Sequence, residues 1–290
     1  MPTIVQAALL GVVQGVTEFL PVSSSAHLIL ARTFFGWDAD QFGLAFDVAC
    51  HVGTLVAVAV YFRQEVVDMV VALPRLFEPG PAQAGRHQDG AGAVQAVADR
   101  DGHQGARLVW LLVLATIPAV IVGLLFGHVI KDHMRTPQVA AATLAFGAFG
   151  LIVAERSGDQ MRSDVSLTMI EAIWLGCAQA LALIPGVSRS GATLTVALLI
   201  GLRRAEAARF IFLLSIPAIA AAAANEMPEL FRAGPGGNTA LLFLVAVTSS
   251  AIVSYATVKY FIRYLSDHSL NGFAWYRLAL AAAVAIWLVR

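Results

Sequence analysis

The chain has 290 residues, of which 58% are hydrophobic and 13% charged, and its basic and acidic residues cancel. The charged share is about half that of an ordinary soluble domain, and the mean hydropathy is +0.74. These values exclude a soluble globular protein, make membrane lipids the expected surroundings, and give no reason to expect a nucleic-acid partner.

Met1-Pro2-Thr3 lacks a basic leader, so no cleavable signal is expected. The first hydrophobic region, about 3–36, is broken by Pro21 and the cluster Ser23-Ser24-Ser25. Spans long enough for about 30 Å of hydrocarbon follow at roughly 42–62, 108–130, 137–156, 208–224, 239–262 and 272–290, of which 208–224 is the shortest. A polar segment at about 64–107, least ordered from Arg75 onward, reads as a flexible surface loop. A second broken region, about 168–201, is interrupted by Pro185-Gly186 and by Ser188-Arg189-Ser190. Each half of a broken region is too short to span but suits a half-helix, because irregular backbone survives at membrane depth only where protein or water satisfies it. The expected fold is therefore an all-α polytopic membrane protein, one integral domain over 1–290. It has about six transmembrane helices and two re-entrant helical hairpins. Trp37, Trp110, Trp174 and Trp275 fall near span ends and read as interfacial anchors, and Cys50 and Cys177 as buried thiols rather than a disulfide.

The two broken regions are related. A shift of 165 residues lays Leu10, Gly11, Gln14, Val22, Ser23 and Ser25 on Leu175, Gly176, Gln179, Val187, Ser188 and Ser190. With the 64–107 loop in the cytoplasm, Arg63, Arg156, Arg162, Arg203, Arg204, Arg209, Lys259 and Arg263 join it. The other side keeps little more than Arg32, Lys131, Arg135, Arg232 and Arg290. That orientation obeys the positive-inside rule. Three spans then separate the hairpins, which predicts inverted repeats over about 1–107 and 137–262, with a site near the midplane where the breaks meet.

Gln14 and Glu18 share a helical face. An ionisable residue inside a span costs about 2.5–3.5 kcal/mol on insertion scales, so Glu18 needs a cation, a proton or a basic partner. Ser23, Ser24 and Ser25 open the next half-helix, where free N–H groups and the helix dipole suit a phosphate. One hydroxyl is a candidate nucleophile. His27 follows on the face of Ser23 and Ser24 and titrates near neutrality when unperturbed. In the second copy Arg189 brings a guanidinium fork that matches phosphate oxygens. If the breaks converge, Glu18 needs a divalent cation between itself and an anion, or forms a structural bridge with Arg189. Asp47 with His51, and Tyr276 with Arg277, rank below this set; Arg277 is expected to snorkel.

The run Gln14-Gly15-Val16-Thr17-Glu18-Phe19-Leu20-Pro21-Val22-Ser23-Ser24-Ser25-Ala26-His27 resembles the first signature of the bacterial undecaprenyl-diphosphatase family, also called the bacitracin-resistance family. Pro185-Gly186-Val187-Ser188-Arg189-Ser190-Gly191-Ala192-Thr193 is similar to the second, and Phe273-Ala274-Trp275-Tyr276-Arg277 extends the likeness to the end of the chain. The resemblance implies hydrolysis of undecaprenyl diphosphate in the bacterial inner membrane, recycling the lipid carrier of peptidoglycan synthesis and conferring bacitracin resistance. The family allows Glu or Gln at position 14, and Gln here puts metal binding on Glu18. Ser25-Ala26 replaces the Thr-Gly of many members, a slightly stiffer turn.

The expected catalytic residues are Glu18, Ser24, His27 and Arg189, with Gln14, Ser23, Ser25, Ser188, Ser190, Gly191 and Thr193 contacting the diphosphate. Mg²⁺ or Ca²⁺ would bridge Glu18 and the polyprenyl diphosphate, which enters from the periplasmic face. Ser24 attacks and His27 takes its proton; His27 as nucleophile, or as activator of water, stays open. So do a homodimer and a transporter or flippase built on the same pocket.

Overall fold

The computed structural model describes residues 3–37, 43–77, 90–233 and 237–289. Among these residues lie eleven α-helices and no strand. They are α1 (Ile4–Thr17), α2 (Ser24–Phe35), α3 (Leu44–Tyr61), α4 (Arg63–Ala72), α5 (Gly90–His133), α6 (Pro137–Ser157), α7 (Met169–Leu181), α8 (Arg189–Leu199), α9 (Arg204–Ala233), α10 (Gly237–Asp267) and α11 (Asn271–Val289). Five of them, α5, α6, α9, α10 and α11, carry stretches long and apolar enough to cross a membrane. The protein is an all-α polytopic membrane protein.

Every expected span coincides with a helix. The one expected at 208–224 is longer, with Arg204–Asn225 as its apolar stretch, and is the most enclosed by protein. The segment read as a loop at 64–107 is the main correction. Its start is α4, because Arg63–Ala72 mixes three charges with valines and meets no proline before Pro74. Its end, from Gly90, is the beginning of α5. Trp110 donates its indole N–H to the Leu76 carbonyl at 3.0 Å, which ties the two pieces together. Residues 78–89 lie outside those described.

Both broken regions are helix pairs, α1 with α2 and α7 with α8, each packed across its break. The first half-helix of each pair leans on a distant long helix: α1 runs along α10 and α7 along α5. Glycine permits both approaches. A β-carbon at Gly11 would overlap Ser249 and the Ala246 carbonyl, and one at Gly176 would overlap the Ala115 carbonyl and Pro118. Small residues play this part wherever helices pack without a hydrophobic driving force. The largest apolar core gathers Phe19, Phe210, Phe212 and Phe261 among leucines and alanines of α5 to α10. Phe19 and Phe212 meet edge to face at 5.1 Å, which fixes the chain just beyond Glu18. Cys50 is buried as expected, but Cys177 is exposed on α7; both are free.

Candidate functional site

Each break bends through one serine in an unusual backbone state. Ser23 has φ 74° and Ser188 φ 72°, in a region that costs a non-glycine residue about 1–3 kcal/mol. Both are N-caps: Ser23 Oγ accepts from the Ala26 N–H at 3.4 Å and Ser188 Oγ from the Gly191 N–H at 3.0 Å. Each also lies 3.2 Å from the hydroxyl two residues on, Ser25 or Ser190. The breaks are tied to each other. Ser25 Oγ accepts from the Gly186 N–H at 3.3 Å. The matching partner of Ser190 would be the N–H of residue 21, but that residue is proline and has none. Ser190 Oγ instead donates to the Leu20 carbonyl at 2.9 Å.

Glu18 sits where the pairs meet, 6% exposed. Its Oε2 accepts from Ser24 Oγ at 2.6 Å and from Gln14 Nε2 at 2.8 Å. Its Oε1 accepts from Arg189. Ser24 and Arg189 are equivalent under the 165-residue shift, each the first residue of its second half-helix. One carboxylate is thus held between the equivalent N-termini of α2 and α8. His51, on α3, places Nε2 3.4 Å from the same Oε2.

His27 lies one turn into α2. Its Nδ1 is 2.7 Å from the Ser23 carbonyl and its Nε2 2.7 Å from the Tyr276 hydroxyl on α11. The two rings lie within 7° of parallel. The Ser24 hydroxyl is bonded to Glu18 and not to His27.

Arg277 is fully buried rather than snorkelled. Its guanidinium donates to the carbonyls of Pro21 at 3.2 Å, Gly186 at 3.2 Å and Val187 at 3.0 Å, and to those of Thr143 and Leu144 on α6. Pro21 and Gly186 are again equivalent positions, so this one side chain holds both breaks from the same side. Gly147 and Gly191 leave the space it needs, since a β-carbon at either would strike it. Charged hydrogen bonds to backbone carbonyls replace the carboxylate that a buried arginine otherwise requires.

The structure therefore brings Gln14, Glu18, Ser24 and Arg189 into direct contact, with Ser23, Ser25 and His27 alongside. Ser188, Ser190, Gly191 and Thr193 lie in the second break, but their polar groups serve the backbone: Thr193 Oγ1 donates to the Arg189 carbonyl at 2.6 Å. The buried Asp47 carboxylate is paired with Arg32 and Arg135 rather than with this set. Residue pattern alone does not place His51, Tyr276 and Arg277 against this set, and the structure does. Arg277 carried a usable signal: a lone cation in an apolar helix with no acid three or four residues away.

A divalent cation can be tested against the donors present. Among the described residues no cluster of three His, Cys, Asp or Glu side chains forms a closed cage. The Oε1 of Gln14 is buried and has no hydrogen-bond partner, while the Nε2 of the same amide donates to the Glu18 carboxylate at 2.8 Å. One carboxylate and one amide oxygen fit a hard cation that takes its remaining ligands from phosphate and water.

Fold and site together define a polytopic helical membrane protein whose buried polar cluster joins two interlocked helix breaks. The family described as Bacitracin resistance protein BacA matches residues 7–283, and the chain belongs to it. It is similar to the Undecaprenyl-diphosphatase of Rubrobacter xylanophilus, 45% identical over 289 residues that cover 100% of both chains. The protein of that name from Moorella thermoacetica is 42% identical over 290 residues, covering 99% of this chain and 100% of its own. That of Trichlorobacter lovleyi is 41% identical over 283 residues, covering 97% of this chain and 96% of its own.

Proposed function

We propose that this protein hydrolyses undecaprenyl diphosphate to undecaprenyl phosphate and phosphate, and so recycles a lipid carrier of peptidoglycan synthesis. The observation that carries the reading is the Glu18 carboxylate gripped by Ser24 and Arg189 at two facing half-helix starts. A diphosphate arriving there meets a guanidinium fork, two helix N-termini and a positioned hydroxyl. Its oxygens compete with Glu18 for Arg189, which frees the carboxylate. Glu18 and Gln14 would then hold Mg²⁺ or Ca²⁺, whose charge offsets that of the diphosphate.

Ser24 Oγ attacks the terminal phosphorus, and the bond to the bridging oxygen breaks, releasing the lipid monophosphate. Glu18 orients the hydroxyl, and His27 receives its proton. Water then cleaves the phosphoserine. Positioning and charge neutralisation supply most of the acceleration. The Ser23 carbonyl and the Tyr276 hydroxyl engage both ring nitrogens of His27, which favours Ser24 over His27 as nucleophile. Trapping the phosphoenzyme checks this: the label belongs on Ser24, and label on His27 would reverse the assignment.

We also read the chain as an inverted repeat of the bacterial inner membrane, with the pocket open to the periplasm. The matched packing of α1 on α10 and α7 on α5 supports the repeat, and the Lys/Arg asymmetry supports the orientation. Labelling a cysteine at Ser25 from outside tests it; access from the cytoplasm alone would overturn it. The rival reading is a transporter of polyprenyl phosphate. Ser25, Ser190 and Arg277 bind the breaks to each other, which suits a fixed pocket better than one that rocks open. Phosphate release from a prenyl diphosphate in detergent decides: release supports hydrolysis, and binding without release supports transport.

A further inference from the structure

The hydrogen bonds of His27 specify its tautomer. A carbonyl oxygen only accepts, so Nδ1, 2.7 Å from the Ser23 carbonyl, carries the ring proton. The one lone pair of the neutral ring is then on Nε2, and it is directed at the Tyr276 hydroxyl 2.7 Å away, which donates to it. A proton bound for the basic nitrogen therefore meets the phenol first. The phenol makes no other hydrogen bond among the described residues. Tyr276 as a residue is 47% exposed. Its neighbour Arg277, locked to both breaks, holds α11 in the register that brings the phenol to His27.

We infer that Tyr276 is the proton relay of His27, a catalytic residue of the hydrolysis. This rests on the reading above, in which His27 is the base. As the attacking hydroxyl bonds to phosphorus, its proton passes to the phenol oxygen while the phenol's own proton passes to Nε2. One O–H bond breaks at the nucleophile, one forms and one breaks at the tyrosine, and one N–H forms at the histidine. The phosphorus gains the new oxygen and loses the bridging one, which leaves with the lipid monophosphate. A phenol suits the task because its oxygen donates to neutral imidazole and accepts from imidazolium without moving. Its ring, nearly parallel to that of His27, keeps both alignments.

The test is a double-mutant cycle on the full chain in detergent, measuring phosphate release from farnesyl diphosphate. Positioned proton transfer is worth about 10²–10⁴-fold, so Tyr276→Phe is expected to lower kcat at least about 10²-fold with KM within about twofold. In a His27→Ala background the same change should cost nothing further, because the relay has lost its acceptor. Losses that multiply, full turnover in Tyr276→Phe, or a rise in KM alone would overturn the inference. A proton inventory of the unaltered protein gives a second reading that does not depend on a variant. Two protons in flight bend the plot, and a straight line sinks the relay. If the unaltered protein releases no phosphate, the hydrolase reading fails instead, and the two failures are told apart.

Discussion

The first helix pair and the second share a scaffold and divide the chemistry. Gln14 and Gln179 are equivalent, both buried, and both leave Oε1 without a partner. Ser23 and Ser188 take the same backbone conformation, and the hydroxyls two residues on make reciprocal ties across the breaks. Among the differences between the copies, three change the chemistry: Glu18 against Leu183, Ser24 against Arg189, and His27 against Ala192. At the first, the carboxylate is 6% exposed and the equivalent leucine 37% exposed. Duplicated geometry builds the pocket, and the departures from duplication supply an acid, a nucleophile, a base and an anion clamp, each once.

The sharpest test of this division replaces the equivalent residues that both touch Glu18. Ser24→Ala removes the proposed nucleophile and should lower kcat/KM by more than about 10³-fold, as loss of a catalytic nucleophile does elsewhere. Arg189→Lys keeps the charge but loses the fork, and a loss of about 10²-fold is expected from one misplaced phosphate donor. Both are read as phosphate release in detergent. Near-normal turnover in either variant would mean that the site's polar contacts are structural.

A milder contrast separates the two glutamines. Gln14 donates to Glu18, whereas Gln179 donates to the Ala115 carbonyl at 3.2 Å, away from the carboxylate. Gln14→Leu should reduce turnover about tenfold, the worth of a hydrogen bond to a charged group, and shift the response to Mg²⁺. Gln179→Leu should cost about 1 kcal/mol of stability and leave turnover within about twofold. Equal losses of activity would place Gln179 in the site and erase the asymmetry.

How much of this was legible in the chain varies with the kind of contact. The helix breaks, the inward Glu18 and the pairing of Gln14 with Glu18 follow from proline, serine and a spacing of four, because local rules govern them. The Glu18–Arg189 contact joins residues 171 apart and was reachable only through the internal repeat. Tyr276 meets His27 across 249 residues, and no repeat or spacing predicts that. Arg277 misled for a different reason. Arginine near a helix end usually snorkels; the lack of an acid nearby signals a distant partner, but not that the partners are five backbone carbonyls. The polar composition of 64–107 points to a loop, whereas its start is an uninterrupted run of residues that tolerate a helix, up to Pro74.

Positions that belong to the scaffold should respond alike in the two copies, and Gly11 and Gly176 make that measurable. A β-carbon at Gly11 would come within 2.7 Å of the Ala246 carbonyl, and one at Gly176 within 2.7 Å of the Ala115 carbonyl. In both cases the obstacle includes backbone of the neighbouring long helix, so a rotamer change gives no relief. Overpacking of this kind costs about 1–3 kcal/mol. Gly11→Ala and Gly176→Ala should therefore lower thermal stability in detergent by similar amounts, with turnover per folded molecule within about twofold of the unaltered protein. The similarity is the point at issue, because Gly11 lies two turns before Glu18 and Gly176 two turns before Leu183. If Gly11→Ala alone damaged turnover, α1 would be transmitting strain to Glu18, and scaffold and chemistry would not be separable in the first pair.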